Sequence, residues 1–219
     1  MRLVVLGTGT NVGKTYVTSC LARGLAATAS VLALKPVESG VEPGVAGDAG
    51  EIAKAAGHEA VLSRWRLRRP VSPHLAAREQ GLAIRVPEVA RWIALEERRV
   101  APDVTLIETA GGAFSPLGLG VTNVELARAL EPAIWVLVAP DALGVLHDVT
   151  ATLRSLPRSP DLVLLSSARG ADDSSGGNAA ELLRLDICEV TEVLPPGAAS
   201  CPATLRWLHA HPTYKSTRK

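Results

Sequence analysis

The sequence predicts an α/β fold: a doubly wound, mostly parallel sheet flanked by helices. Two observations carry that expectation. Short apolar runs alternate with longer amphipathic ones along the whole chain, as successive βα units do. The 219 residues are 47% hydrophobic but only 3% aromatic, which suits helices packed on a parallel sheet and not an aromatic-rich sandwich. One domain over 1–219 with a single core accommodates this length, and the basic stretch from about 204 to 219 is expected to be a loosely ordered tail.

Each element has its own signal. "RLVVLG" (Arg2 to Gly7) is continuously apolar before its glycine, the mark of a strand buried on both faces. A helix is predicted over Lys14 to Ala27. The strand "SVLALK" (Ser30 to Lys35) stops at a proline, which holds the residue before it in extended backbone. Asp48 to Ala56 reads as a helix opened by aspartate, a good N-cap. Ser72 and Pro73 before an alanine-rich run mark another helix start, so His74 reads as structural. Helix Pro87 to Arg99 precedes strand "DVTLIE" (Asp103 to Glu108). Helices Asn123 to Leu130, Gly144 to Leu156 and Asn178 to Leu185 then alternate with strands "AIWVLVA" (Ala133 to Ala139), "DLVLLSS" (Asp161 to Ser167) and "DICEVTEV" (Asp186 to Val193).

Three loops follow strands: "PVESGVEPGVAG", "TAGGAFSPLGLGVT" and "ARGADDSSGGN". Ligands of doubly wound sheets lie outside the carboxyl ends of the strands, so these loops are expected to face one another across one cleft. Glycine and serine in "GADDSSGGN" predict a mobile surface excursion.

Bulk properties exclude several classes. A formal charge of +1 gives no global pull toward nucleic acid or an anionic membrane, so neither is expected as a partner. Cys20, Cys188 and Cys201 form no C-x-x-C pair, which argues against a disulfide framework and a zinc site. The N-terminal apolar run is too short for a signal segment and no stretch reaches the length of a membrane span, so a cytoplasmic protein is expected. His209 and His211 lack a nearby carboxylate cluster and read as surface residues, and the four dispersed tryptophans read as packing.

"GTGTNVGKT" (Gly7 to Thr15) lies between the first strand and the first helix, where a P-loop belongs. Backbone N–H groups and the helix start face phosphate oxygens, Lys14 reaches the outer phosphates, and the Thr15 hydroxyl is suited to magnesium. The fold is therefore of the P-loop NTPase type, although Thr8 stands where the usual pattern has glycine. Lys35 ends a strand and supplies a second cation against charge developing in phosphoryl transfer. Glu108 ends another, and with Thr15 and Asp48 gives the oxygen ligands a hard cation takes.

In order, "GTGTNVGKT", "KPVESG", "GDAGEIA", "SPHLAAREQG", "IETAGGAFSPL" and "LGVLHD" resemble the dethiobiotin synthetase family over Met1 to about Leu156. The resemblance implies an ATP-dependent ring closure of 7,8-diaminopelargonic acid with CO2 and magnesium in biotin biosynthesis, by a homodimer with two cross-subunit sites. It implies that Thr10, Lys14, Lys35 and Ser39 surround the reacting carbamate and γ-phosphate, and that Thr15, Asp48 and Glu108 serve the metal. ATP is then held by Gly9, Thr10, Asn11, Val12, Gly13, Lys14 and Thr15, and further by Glu108, Gly111, Gly112 and Ser166. Substrate is met by Ser39 and, at a helix start of the other subunit, by Gly144, Val145, Leu146 and His147. Four positions depart from the family pattern: Asn11 replaces a glutamate, His147 and Asp148 replace an asparagine–histidine pair, and Ser166 falls near an adenine-reading asparagine.

Two other activities remain as alternatives. An ATP-dependent amidoligase usually adds a glutaminase domain, for which no length remains. A partitioning-type ATPase switch carries a lysine early in its loop, and Gly7 to Val12 has none.

Overall fold

The computed structural model describes residues 1–167 and 170–214. From the N-terminus, β1 (Arg2–Gly7) leads to α1 (Lys14–Ala26), β2 (Val31–Leu34) and the short β3 (Val37–Ser39). Next come α2 (Gly47–Ala56), β4 (Trp65–Leu67), α3 (Pro73–Glu79), α4 (Val86–Val100) and β5 (Val104–Glu108). A hairpin of β6 (Pro116–Gly118) and β7 (Val121–Thr122) runs into α5 (Asn123–Ala129). Then follow β8 (Ile134–Pro140), α6 (Val145–Ser155), β9 (Leu162–Ser166), α7 (Asn178–Arg184), β10 (Glu192–Leu194) and α8 (Pro202–Ala210).

The central sheet has the order β10-β9-β8-β1-β5-β2, and every pairing in it is parallel. Successive residues of β1 feed opposite faces: Val4 and Leu6 join the core under α3, α4 and α5, while Leu3 and Val5 join the core under α1, α2 and α8. Both faces are thus covered, which is why the strands read as unbroken apolar runs. The strands β8, β9 and β10 are added on the opposite side of β1 from β5, so the carboxyl end of β1 lies at the switch point where such sheets bind ligands.

Four sequence expectations are corrected. "DICEVTEV" is a strand only at its end, in β10, because Asp186 (φ 52°) closes α7 in left-handed backbone: Asp186 N donates to Leu183 O and Ile187 N to Leu182 O. The expected loose tail holds α8, whose Thr204 and Leu208 are fully buried. The carboxylate of Glu192 accepts from Thr204 N (2.9 Å) and Ala203 N (3.2 Å) at that helix start; residues 215–219 lie outside the described residues. The expected mobile excursion is a bonded turn: Asp172 accepts from Leu143 N (2.7 Å) and Ser174 N (2.8 Å), and Asp141 from Gly176 N (2.8 Å) and the Asn178 amide (2.8 Å). That turn therefore packs on residues 141–143 and does not line the cleft with the other two loops; Ala168 and Arg169 lie outside the described residues.

Candidate active site

A cavity of about 790 Å³ opens at the carboxyl ends of β1, β2 and β5. The loop from Thr10 to Thr15 forms one wall, Lys35, Ser39 and Asp48 another, and Glu108, Ala110, Gly111 and Ser115 a third. Local backbone chemistry makes the first wall. Gly13 takes φ 87° to turn the chain into α1, a conformation that glycine adopts without a Cβ clash. Asn11 lies at φ 57°, where asparagine is among the better tolerated residues.

The loop after β5 leans on the phosphate loop. Ala113 N donates to Gly7 O at 2.7 Å, and a Cβ on Gly112 would stand 3.1 Å from Gly9 Cα, so glycine permits the approach. The buried Asn123 donates its amide to Ala110 O (2.6 Å) and Gly112 O (2.8 Å), fixing this loop from behind. Sequence reading missed that role. Its one available signal is a polar residue at a helix start already capped by Thr122 and Glu125.

The charged groups converge. Glu108 is 0% exposed, and its Oε1 accepts from the Thr15 hydroxyl at 2.8 Å and from Lys35 Nζ at 2.8 Å. Lys35 also pairs with Asp48, whose side chain is 44% exposed. Burial opposes the charge on Lys35, but Glu108 and Asp48 outweigh it and hold the ammonium above its ordinary range. Lys14 has no such surplus of partners: burial lowers it to about 8, with Glu108 opposing that fall and Lys35 reinforcing it. Its Nζ donates to Gly9 O at 3.3 Å, curled back along the loop.

The donor set fits a hard cation. Glu108 Oε2 is buried with no hydrogen-bond partner among the described residues, a cost that a ligand would remove. Among the described residues no group of three or more His, Cys, Asp or Glu is arranged to hold a metal. Two carboxylates and the Thr15 hydroxyl therefore suit an ion that also takes phosphate oxygens and water, as magnesium does. Ser39 Oγ also has no partner among the described residues and lies on the cavity wall.

Two groups of expected site residues fall elsewhere. Ser166 is fully buried and donates its hydroxyl to Val12 O at 2.7 Å, so it braces the phosphate loop. Gly144 to His147 do not line this cavity. Val145 N already donates to Ala142 O at 3.1 Å, while no described residue accepts from Gly144 N or Leu146 N.

Sequence and fold comparisons relate the chain to known proteins. A family model described as an AAA domain covers residues 1–166. The chain is 36% identical over 208 residues to the ATP-dependent dethiobiotin synthetase BioD of Streptomyces avermitilis, covering 90% of this chain and 85% of that one. The chain belongs to the dethiobiotin synthetase family. The synthetase of Rhodococcus jostii is 43% identical over 158 residues, 70% of this chain and 67% of the relative. Among solved structures, chloroplast FtsY from Physcomitrella patens superposes with a TM-score of 0.57 at 17% identity, over 88% of this chain and 57% of that one. FtsY from Elizabethkingia anophelis gives 0.56 at 15%, with the same coverage. Those two likenesses speak for the P-loop fold alone. Lys14, Thr15, Lys35, Asp48 and Glu108 all line the one cavity. No helix among the described residues is long and apolar enough to cross a membrane.

Proposed function

We propose that this chain catalyses the ATP-dependent closure of 7,8-diaminopelargonic acid with CO2 to dethiobiotin, in the cytoplasm. The observation that carries the reading is the convergence of two buried lysines and a buried carboxylate on one cavity beside a phosphate loop, in a chain of this family. One amine of the substrate captures CO2 as a carbamate, a carbamate oxygen attacks the γ-phosphorus of ATP with release of ADP, and the second amine displaces phosphate as the ring closes. Positioning supplies most of such a rate.

The phosphate-loop backbone and Lys14 hold the phosphates, and Lys35 stands where negative charge grows during transfer. Ser39 Oγ offers a hydrogen bond to the carbamate. Thr15, Asp48 and Glu108 hold Mg2+, which neutralises phosphate charge when bound. Gly111 and Gly112 let the loop after β5 approach the nucleotide. Asn11 offers an amide to a substrate amine and brings no negative charge.

The active form is proposed to be a homodimer, in which Gly144, Leu146 and His147 reach the substrate carboxylate of the other subunit's site. A helix start favours a carboxylate, and the exposure of Phe114, Leu119 and Leu143 leaves apolar surface for a partner copy. The test is incubation of the purified protein with the diamine, bicarbonate, Mg2+ and ATP, with mass-spectrometric detection of product. Dethiobiotin that requires all four supports the reading; ATP turnover independent of the diamine overturns it.

A further inference from the structure

We propose that Glu38 is a positioning residue that holds Asp48, through the first turn of α2, at the metal corner of the cavity. The inference deepens the proposed function and rests on its assignment of Asp48 to a divalent cation. Glu38 is a carboxylate only 3% exposed, and it has no salt bridge to a basic side chain among the described residues. A carboxyl group buried to that degree is costly unless its oxygens are hydrogen-bonded. Here Glu38 Oε1 accepts from Asp48 N, and Oε2 accepts from the buried Ser63 hydroxyl at 2.9 Å.

The geometry is that of a helix cap supplied from another element. Ala46, which precedes α2, has no side chain able to cap it, so Glu38 takes the N–H that an N-cap oxygen ordinarily takes. Gly47 makes the approach possible: a Cβ there would stand 2.5 Å from Glu38 Oε1, on a residue already at φ 63°. On the other side, the pairing of β3 with β4 brings the segment after Ser63 alongside Glu38. Asp48 is therefore held at two points, its backbone by Glu38 and its carboxylate by Lys35. Without the first, the carboxylate keeps its chemistry but loses its fixed origin.

The experiment is a titration of Mn2+ in the presence of a non-hydrolysable ATP analogue, followed by electron paramagnetic resonance. Thermal midpoints are measured alongside. Glu38→Leu is expected to weaken Mn2+ about tenfold, the scale seen when a group supporting a metal ligand is lost. Gly47→Ala, which drives the carboxylate away, moves the affinity in the same direction. Glu38→Gln restores it, because the amide accepts from Asp48 N and donates to Ser63 Oγ. In an Asp48→Asn background Glu38→Leu has no further effect on Mn2+.

Wild-type Mn2+ affinity in Glu38→Leu and Gly47→Ala with lowered thermal midpoints would show a merely structural residue and overturn the inference. Persistence of the Glu38→Leu effect without the Asp48 carboxylate overturns it too. If Glu38→Leu does not fold, Gly47→Ala and Glu38→Gln decide alone. Wild-type protein that makes dethiobiotin while Glu38→Leu binds Mn2+ normally defeats only the Glu38 role. Wild-type protein that binds no Mn2+ with the nucleotide defeats the metal assignment, and this inference with it.

Discussion

Replacing Lys35 by methionine removes the cation that faces both carboxylates of the site while keeping a side chain of similar reach. Glu108, at 0% exposure, keeps the Thr15 hydroxyl but loses its charge partner at 2.8 Å. Leaving one member of a buried pair without its partner costs about 3–5 kcal/mol. The Asp48 arm adds little, because its side chain is 44% exposed and water takes over the lost contact. At about 3 kcal/mol, and roughly 2–4 °C per kcal/mol for a chain of this size, Lys35→Met should melt about 6–12 °C below wild type. Differential scanning fluorimetry at neutral pH, without nucleotide or divalent ion, reads this directly. Adding Glu108→Gln should return most of the loss, since a neutral amide needs no counter-charge. A Lys35→Met midpoint within about 2 °C of wild type, or a double variant no more stable than the single, refutes the buried-pair argument.

Other outcomes follow from the same geometry. Lys14 is lowered to about 8 in the fold against an ordinary 10.5, so between those values the unfolded chain binds more protons and stability rises with pH. That rise should vanish in Lys14→Met urea titrations. ATP phosphates should also draw a proton onto Lys14, seen as proton uptake near pH 8 when binding heats are compared in buffers of different ionisation enthalpy; no uptake contradicts the lowered value. Ser166→Ala removes one buried hydrogen bond, worth about 0.5–1.5 kcal/mol, and should weaken ATP, GTP and CTP by the same few-fold factor. A loss confined to one base would instead make Ser166 a base reader. Mixing inactive Lys14→Gln with an inactive Gly144→Val variant should regain activity if each site draws on both subunits, and no regain from mixed dimers would place the turn outside the partner's site.

Most of the central sheet was legible because parallel strands buried on both faces leave runs such as "LVVL" and "IWVLVA" that admit few other readings. The accessory pieces were not. The strands β3 and β4 have three residues each and pair across more than twenty positions, so no local period announces them. The helix α8 was read as a basic tail because its partners, Glu192 at its start and the α1 face beneath it, are set by tertiary contact.

The site shows the same division. Lys14, Thr15, Lys35, Asp48 and Glu108 were found from strand ends, a helix start and loop spacing, and the fold brings them to one cavity. Ser166 was found at its strand end, but its bond to Val12 O, 154 residues away, was not legible. Glu38 and Asn123 were passed over for a related reason: a polar residue beside a strand or helix start looks ordinary until its burial is known.

The central claim is that this cavity joins carbamate formation to phosphoryl transfer. The most direct measurement uses CO2 labelled with 18O in a single rapid turnover with the diamine, Mg2+ and ATP, with both products examined by mass spectrometry. The account predicts one labelled oxygen in the ureido carbonyl of dethiobiotin and one in the phosphate released. Unlabelled phosphate, accompanied by ADP but no dethiobiotin, would mean that water and not a carbamate attacks ATP, and the proposed function would fall.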